Sequence, residues 1–174
     1  MMDDDSPYVL DSSPSQWDTN VLDLIGEEGL TRFTFDGLKR RLGVHSETLS
    51  RVMDRLEEQE LVERHADGYR ITSKARELLR AQQLSEKESK VPVLQTLLPP
   101  EIPLKQVISE LAGRWFGTLR WLGYGENGEG IVLKWITEDG GIQVDAVFLD
   151  GSLSIDAKLL SEKSLNAALM ASYQ

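Results

Sequence analysis

The sequence predicts an α+β chain: a mainly helical first half, then a helix, a three-stranded antiparallel meander and a closing helix. Three observations carry this. Apolar residues recur at helical spacing between residues 16 and 83. Three strand-like runs near the C-terminus are separated by Asp139-Gly140-Gly141 and Asp150-Gly151, and an Asp-Gly pair between strands is a strong hairpin signal. Four prolines, at 92, 99, 100 and 103, follow the polar run SEKESK and separate the two patterns.

In chain order, residues 1–15 hold three consecutive Asp, two Pro and four Ser without periodicity, which predicts a disordered acidic tail. Trp17, Val21, Leu22 and Ile25 predict a helix from Gln16 to about Ile25. Phe35, Leu38 and Leu42 mark one face of a short helix, and Gly43 directly after it suits the left-handed turn that ends a helix. Ser46 is the expected N-cap of the next helix, whose stripe is Leu49, Val52, Met53 and Leu56. Residues 61–64 and 69–72 read as strands around a turn at 65–68, and Ser73 as the cap of a helix to about Gln83. Residues 85–103 read as a linker.

Beyond it, Leu104, Val107, Ile108, Leu111, Ala112, Trp115, Leu119 and Leu122 fit one helical stripe, which the glycines from Gly123 to Gly130 would stop. Gly113 and Gly117 sit four apart on that expected helix, at about 1 kcal/mol each relative to Ala, which suggests close approach of another helix or of the sheet. Ile131–Glu138, Ile142–Leu149 and Ser152–Lys158 form the meander, and Ser161 is a good cap for a last helix to about Tyr173.

Composition narrows the function. There is no cysteine, so disulfides, thiolate zinc sites and a cysteine nucleophile are excluded. No apolar run reaches the roughly 18–20 residues of a membrane helix, and the start is acidic, so a cytoplasmic protein is expected. The net charge of −10 is uneven. Residues 1–30 carry eight acids and no base, whereas residues 31–84 hold eleven of the nineteen Lys/Arg. The basic charge thus coincides with the helix, glycine turn, helix and hairpin.

Helix-turn-helix followed at once by a small hairpin is a winged helix. The run LGVHSETLSRVMDRLEEQELVERHADGYRITSKARELL, beginning at Leu42, resembles the MarR-like and ArsR-like winged-helix transcriptional regulators, over about residues 16–83. The resemblance implies a winged helix-turn-helix domain at 16–84 whose partner is double-stranded DNA. Three features depart from the pattern. Glu60 stands where such regulators usually have glycine, the wing is short, and long dimerisation helices are not evident.

With the apolar stripe inward, the second helix turns Glu47 and Arg51 outward, flanked by Ser50 and Arg55. Arg51 is the best candidate for a base contact, because an arginine fork binds guanine bidentately. Ser46, Thr48 and Ser50 can donate to phosphates or base edges. Arg64, His65 and Arg70 lie on the wing, and Arg40 and Arg41, with Lys39, can reach phosphates. Against this, Asp54, Glu57, Glu58 and Glu60 would repel phosphate, so a winged helix that binds protein is the alternative. Two histidines without cysteine ligands do not suggest a metal.

The second half, residues 104–174, is expected to dimerise the chain or to sense a small-molecule effector. Candidate dimer surfaces are the Gly113/Gly117 helix and the strand Ile131–Ile136, apolar on both sides except for Lys134, with Trp115, Trp121 and Trp135 as anchors. The sequence lacks GxSxG, Walker, HExxH and dinucleotide motifs, so neither an enzyme nor a cofactor is expected, and a small ligand-binding protein or enzyme is the most distant alternative.

Overall fold

The computed structural model describes residues 15–80 and 90–160. The acidic tail before Ser15, the end of the helix expected to reach Gln83 and the helix expected from Ser161 lie outside the described residues.

The first half follows the sequence closely. Helix α1 (Gln16–Glu27) starts at Ser15, whose hydroxyl accepts from the Asp18 N–H, and buries Val21, Leu24 and Ile25. A two-residue strand, β1 (Arg32–Phe33), leads into α2 (Phe35–Leu42), capped by Thr34. Gly43 ends α2 with φ 66°, and its N–H donates to the Lys39 carbonyl, as the glycine predicted. Helix α3 (Ser46–Glu58) then buries Leu49, Val52, Met53 and Leu56, each at 1% exposure or less. Its cap position is His45 rather than Ser46, and no side chain caps it. The wing is β2 (Val62–His65) and β3 (Gly68–Ile71), joined by only Ala66 and Asp67. Helix α4 (Ser73–Arg80) is capped by Thr72, not Ser73: the Thr72 hydroxyl accepts from the Ala75 N–H at 3.2 Å.

The second half departs from expectation in two places. The helix expected over 104–122 ends early, as α5 (Leu104–Leu111), and residues Leu119–Glu126 form a strand, β5. Gly113 and Gly117 adopt φ of 81° and 53°, so they turn the chain instead of packing helices. The apolar spacing of Leu119 and Leu122 also fits a strand carrying a bulge, which is what forms between Trp121 and Gly123. The segment read as a linker contains β4 (Lys90–Leu97), paired antiparallel with the last strand. Pro92 is tolerated there because β4 is an edge strand with a register shift at that point.

The three runs of the expected meander form β6 (Gly130–Thr137), β7 (Ile142–Leu149) and β8 (Ser152–Leu159), paired in sequence order. Asp150 and Gly151 both have positive φ (45° and 73°), the geometry of a two-residue hairpin turn. They are not a free-standing meander, however. All strands join one antiparallel sheet of eight, in the order β2-β3-β1-β5-β6-β7-β8-β4.

The short strand β1 is the seam between the two halves. It pairs with β3 of the wing on one side and with β5 on the other, through Phe33↔Gly123 and Arg32↔Tyr124. Gly123 is required there, because a Cβ would fall against the Arg32 carbonyl oxygen and 2.7 Å from the Phe33 Cα. The first half keeps its own core, around Ile25, Leu38, Met53 and Leu56. Leu133, Trp135, Val144 and Phe148 form a second core on the face of the sheet covered by Val107, Ile108 and Leu111 of α5.

The opposite face of β6, β7 and β8 is polar where it meets the first half. Glu28 is buried and accepts from Lys134 (3.0 Å), Lys158 (2.7 Å), Gln143 (2.7 Å) and Arg41 (3.2 Å). Lys134 also binds Asp145 at 2.9 Å, which in turn receives Lys90 at 3.1 Å. Burial alone would raise the Glu28 carboxyl, but the Lys134 charge and the Lys158 and Gln143 hydrogen bonds outweigh it and hold it well below its ordinary value. Burial would likewise lower the Lys134 ammonium, yet Asp145 and Glu28 raise it. Among the described residues no buried side-chain polar atom lacks a partner.

Candidate nucleic-acid interface

The outer face of α3 and the wing bring together most of the residues expected to meet DNA. Ser46, Glu47, Ser50 and Arg51 are exposed on the first two turns, and Thr48 is half-buried beside them. Because no side chain caps α3, its first-turn N–H groups remain open to a phosphate oxygen. Arg64, His65 and Arg70 are exposed on β2 and β3.

Two expected contacts are taken up elsewhere. Arg55 makes a two-pronged bond to the buried Asp18, at 2.6 and 2.9 Å, and also donates to Ser15 at 3.1 Å. It ties α3 to α1 and lowers the Asp18 pKa mainly through that hydrogen bonding. Arg41 points inward, donating to Gln143 at 3.0 Å and to Glu28. Arg40 is half-buried and lines a cavity beside β1.

The remaining cations are partly neutralised in place. Arg51 pairs with Glu47 at 2.5 Å across one helical turn, both side chains largely exposed. Arg64 lies between Asp54 (3.2 Å) and Glu57 (3.4 Å) and over the Tyr69 ring. His65 faces Glu63 at 3.6 Å. Arg70 has no carboxylate partner among the described residues. The carboxylates of Asp54, Glu57 and Glu58 make the exposed face of the C-terminal half of α3 acidic.

Sequence reasoning did not find the partners that remove Arg41 and Arg55. Asp18 and Glu28 are only two of the eight acids counted over residues 1–30. The one signal was Lys134, a lone charge in an otherwise apolar strand. Trp135 is buried and Trp121 packs edge-on against it, leaving Trp115 exposed.

Among the described residues, no group of three or more His, Cys, Asp or Glu side chains is placed to hold a metal ion. No helix among them is long and apolar enough to cross a membrane. Residues 13–68 match the family model of the MarR family, a family of DNA-binding transcriptional regulators. The match runs from the start of α1 to the tip of the wing and covers about a third of the chain. No curated protein and no solved structure matches the chain.

Proposed function

We propose that this chain, whose residues 13–68 match the MarR family model, is a transcriptional regulator that reads duplex DNA with the N-terminal half of α3 and grips the backbone with its wing. The observation that carries this is the joint exposure of Ser46, Ser50 and Arg51 on an uncapped helix start beside a wing bearing Arg64 and Arg70. The Arg51–Glu47 pair does not stand in the way. An exposed pair of this kind is worth about 0.3–0.5 kcal/mol, whereas a bidentate arginine–guanine contact is worth about 1–3 kcal/mol.

The C-terminal half supports dimerisation and effector sensing. Neither surface named from the sequence is free, since β6 is central in the sheet and residues 113–117 are not helical. The edge strand β4 and the α5 region instead expose Leu94, Leu97, Leu104 and Trp115, which suit contact with a second copy. A cavity of about 320 Å³ between β1 and the end of α5 is lined by Tyr69, Trp115 and Trp121, where a small effector would touch both halves.

The test is binding of the full chain to mixed genomic duplex DNA across a salt series, with light scattering on the same preparation. A dimer whose affinity falls steeply with salt is expected, with Arg51→Ala losing base preference more than overall affinity. The crowded carboxylates of α3 favour one other reading, an adaptor whose winged helix binds a basic protein surface. No duplex binding even at low salt would replace the DNA reading with that one.

A further inference from the structure

We infer that the groove between the wing, α4 and the β5–β6 hairpin is a binding site for a small polyanion of nucleotide size carrying two or more phosphate groups. The groove has a volume of about 570 Å³ and is lined by Arg32, Arg70, Arg76 and Arg80, with Tyr124 and, as its one acid, Glu126.

The cations are arranged across the fold rather than scattered. Arg70, Arg32 and Tyr124 occupy directly opposed register positions on β3, β1 and β5, so their side chains leave the same face of the sheet. Arg76 and Arg80 are one turn apart on α4. Like charges directly opposed in a sheet, or four apart on a helix, disfavour the free fold, and both occur here. Outside the groove Arg41, Arg51, Arg55, Arg64 and Arg120 have carboxylate partners, while Arg40 and Arg114 have none among the described residues. In the groove Arg32 has only a long contact to Asp67, at 3.7 Å. Arg70, Arg76 and Arg80 form no ion pair among the described residues, and the nearest acid in register is Glu63, opposite Arg70 on β2.

Four guanidinium groups around one concavity match the oxygens of a di- or triphosphate, which arginine forks bind bidentately. Tyr124 adds an aromatic ring against which a base can stack. The volume is that of a small-ligand site. This inference goes beyond DNA reading and does not depend on it.

The test is isothermal titration of the full chain at low ionic strength with two probes, inorganic triphosphate and ATP. Variants are Arg76→Ala/Arg80→Ala, both exposed positions, and the control Lys105→Ala/Arg114→Ala, which removes the same charge outside the groove. Thermal melting confirms that each variant is folded. Salt-sensitive binding is expected, reduced by about tenfold or more in the groove variant and little changed in the control. Tighter binding of ATP than of triphosphate, lost in Tyr124→Ala, assigns the ring of Tyr124 to the base. Absence of binding to either probe at millimolar concentration, or equal loss in groove and control variants, overturns the inference. So does a groove variant that loses duplex affinity while triphosphate binding is unchanged, because the arginines then belong to the DNA interface.

Discussion

Removing the Glu28 carboxylate, as in Glu28→Ala, should destabilise the protein by about 3–5 kcal/mol, the cost of breaking a buried ion cluster from one side. Glu28 accepts four hydrogen bonds, three of them from cationic groups, while its side chain is 3% exposed. The four do not add up independently. Lys134 retains Asp145 at 2.9 Å, Arg41 retains Gln143 at 3.0 Å, and Gln143 retains Asp145 at 2.9 Å. Those second partners cap the loss, which is why it stays in the single-digit range. At about 2–4 °C per kcal/mol for a chain of this size, the melting temperature should fall by roughly 10 °C. Urea unfolding followed by far-ultraviolet circular dichroism gives the free energy directly. Tryptophan fluorescence on the same samples weights the second half, where Trp115, Trp121 and Trp135 lie. Coincident midpoints are expected for the parent chain, because the cluster and the shared sheet tie the halves together. A loss below about 1 kcal/mol would refute the reasoning, since water would then be replacing the carboxylate at little cost.

Three further outcomes follow from the same geometry. Glu28 is held below its ordinary value of 4.5, and Asp18 below 3.8, so both carboxylates contribute fully where the unfolded chain is ionised. Stability should therefore be flat near neutrality and fall as pH drops below about 4.5, a slope that Glu28→Ala should reduce in chemical denaturation series. Glu60 sits at φ 60° on the exposed approach to the wing. Glu60→Gly relieves about 1–2 kcal/mol of strain and gives back about 0.4–1 in unfolded-chain entropy, so a gain of roughly 0.5–1 kcal/mol should appear as a higher urea midpoint. Gly123→Ala forces β1 and β5 apart and should cost more than about 2 kcal/mol, with accelerated amide exchange at Thr31 and Thr34, whose N–H groups donate to β5.

How far the sequence could be read depended on how local each determinant was. Gly43 and the stripe Leu49, Val52, Met53 and Leu56 define a turn and a buried face within fourteen residues, and the structure places them as the spacing requires. Asp150-Gly151 sets its hairpin just as locally. The expected helix over 104–122 fails because a stripe ending in Leu119 and Leu122 serves two periods at once, and because Gly113 and Gly117, at positive φ, turn the chain. Strand β4 was hidden by its proline and by the distance to its partner β8. The candidate interface shows the same division. Ser46, Ser50 and Arg51 depend only on helical phase, whereas the fate of Arg55 depends on an aspartate thirty-seven residues away and that of Arg41 on a glutamine one hundred and two residues away.

A wing that shares its sheet with the C-terminal half has no pivot. Neighbouring strands are rotated by about 20–25° relative to one another, and that rotation accumulates from strand to strand. From β5 to β2 there are three such steps, all hydrogen-bonded. A change of twist at β5 would reach the wing through the two-residue strand β1, its one hydrogen-bonded link to β3 in the sheet. In a pair of such molecules, the angle between the two wings is a property of the whole sheet, and the spacing of the sites they grip is set by its twist.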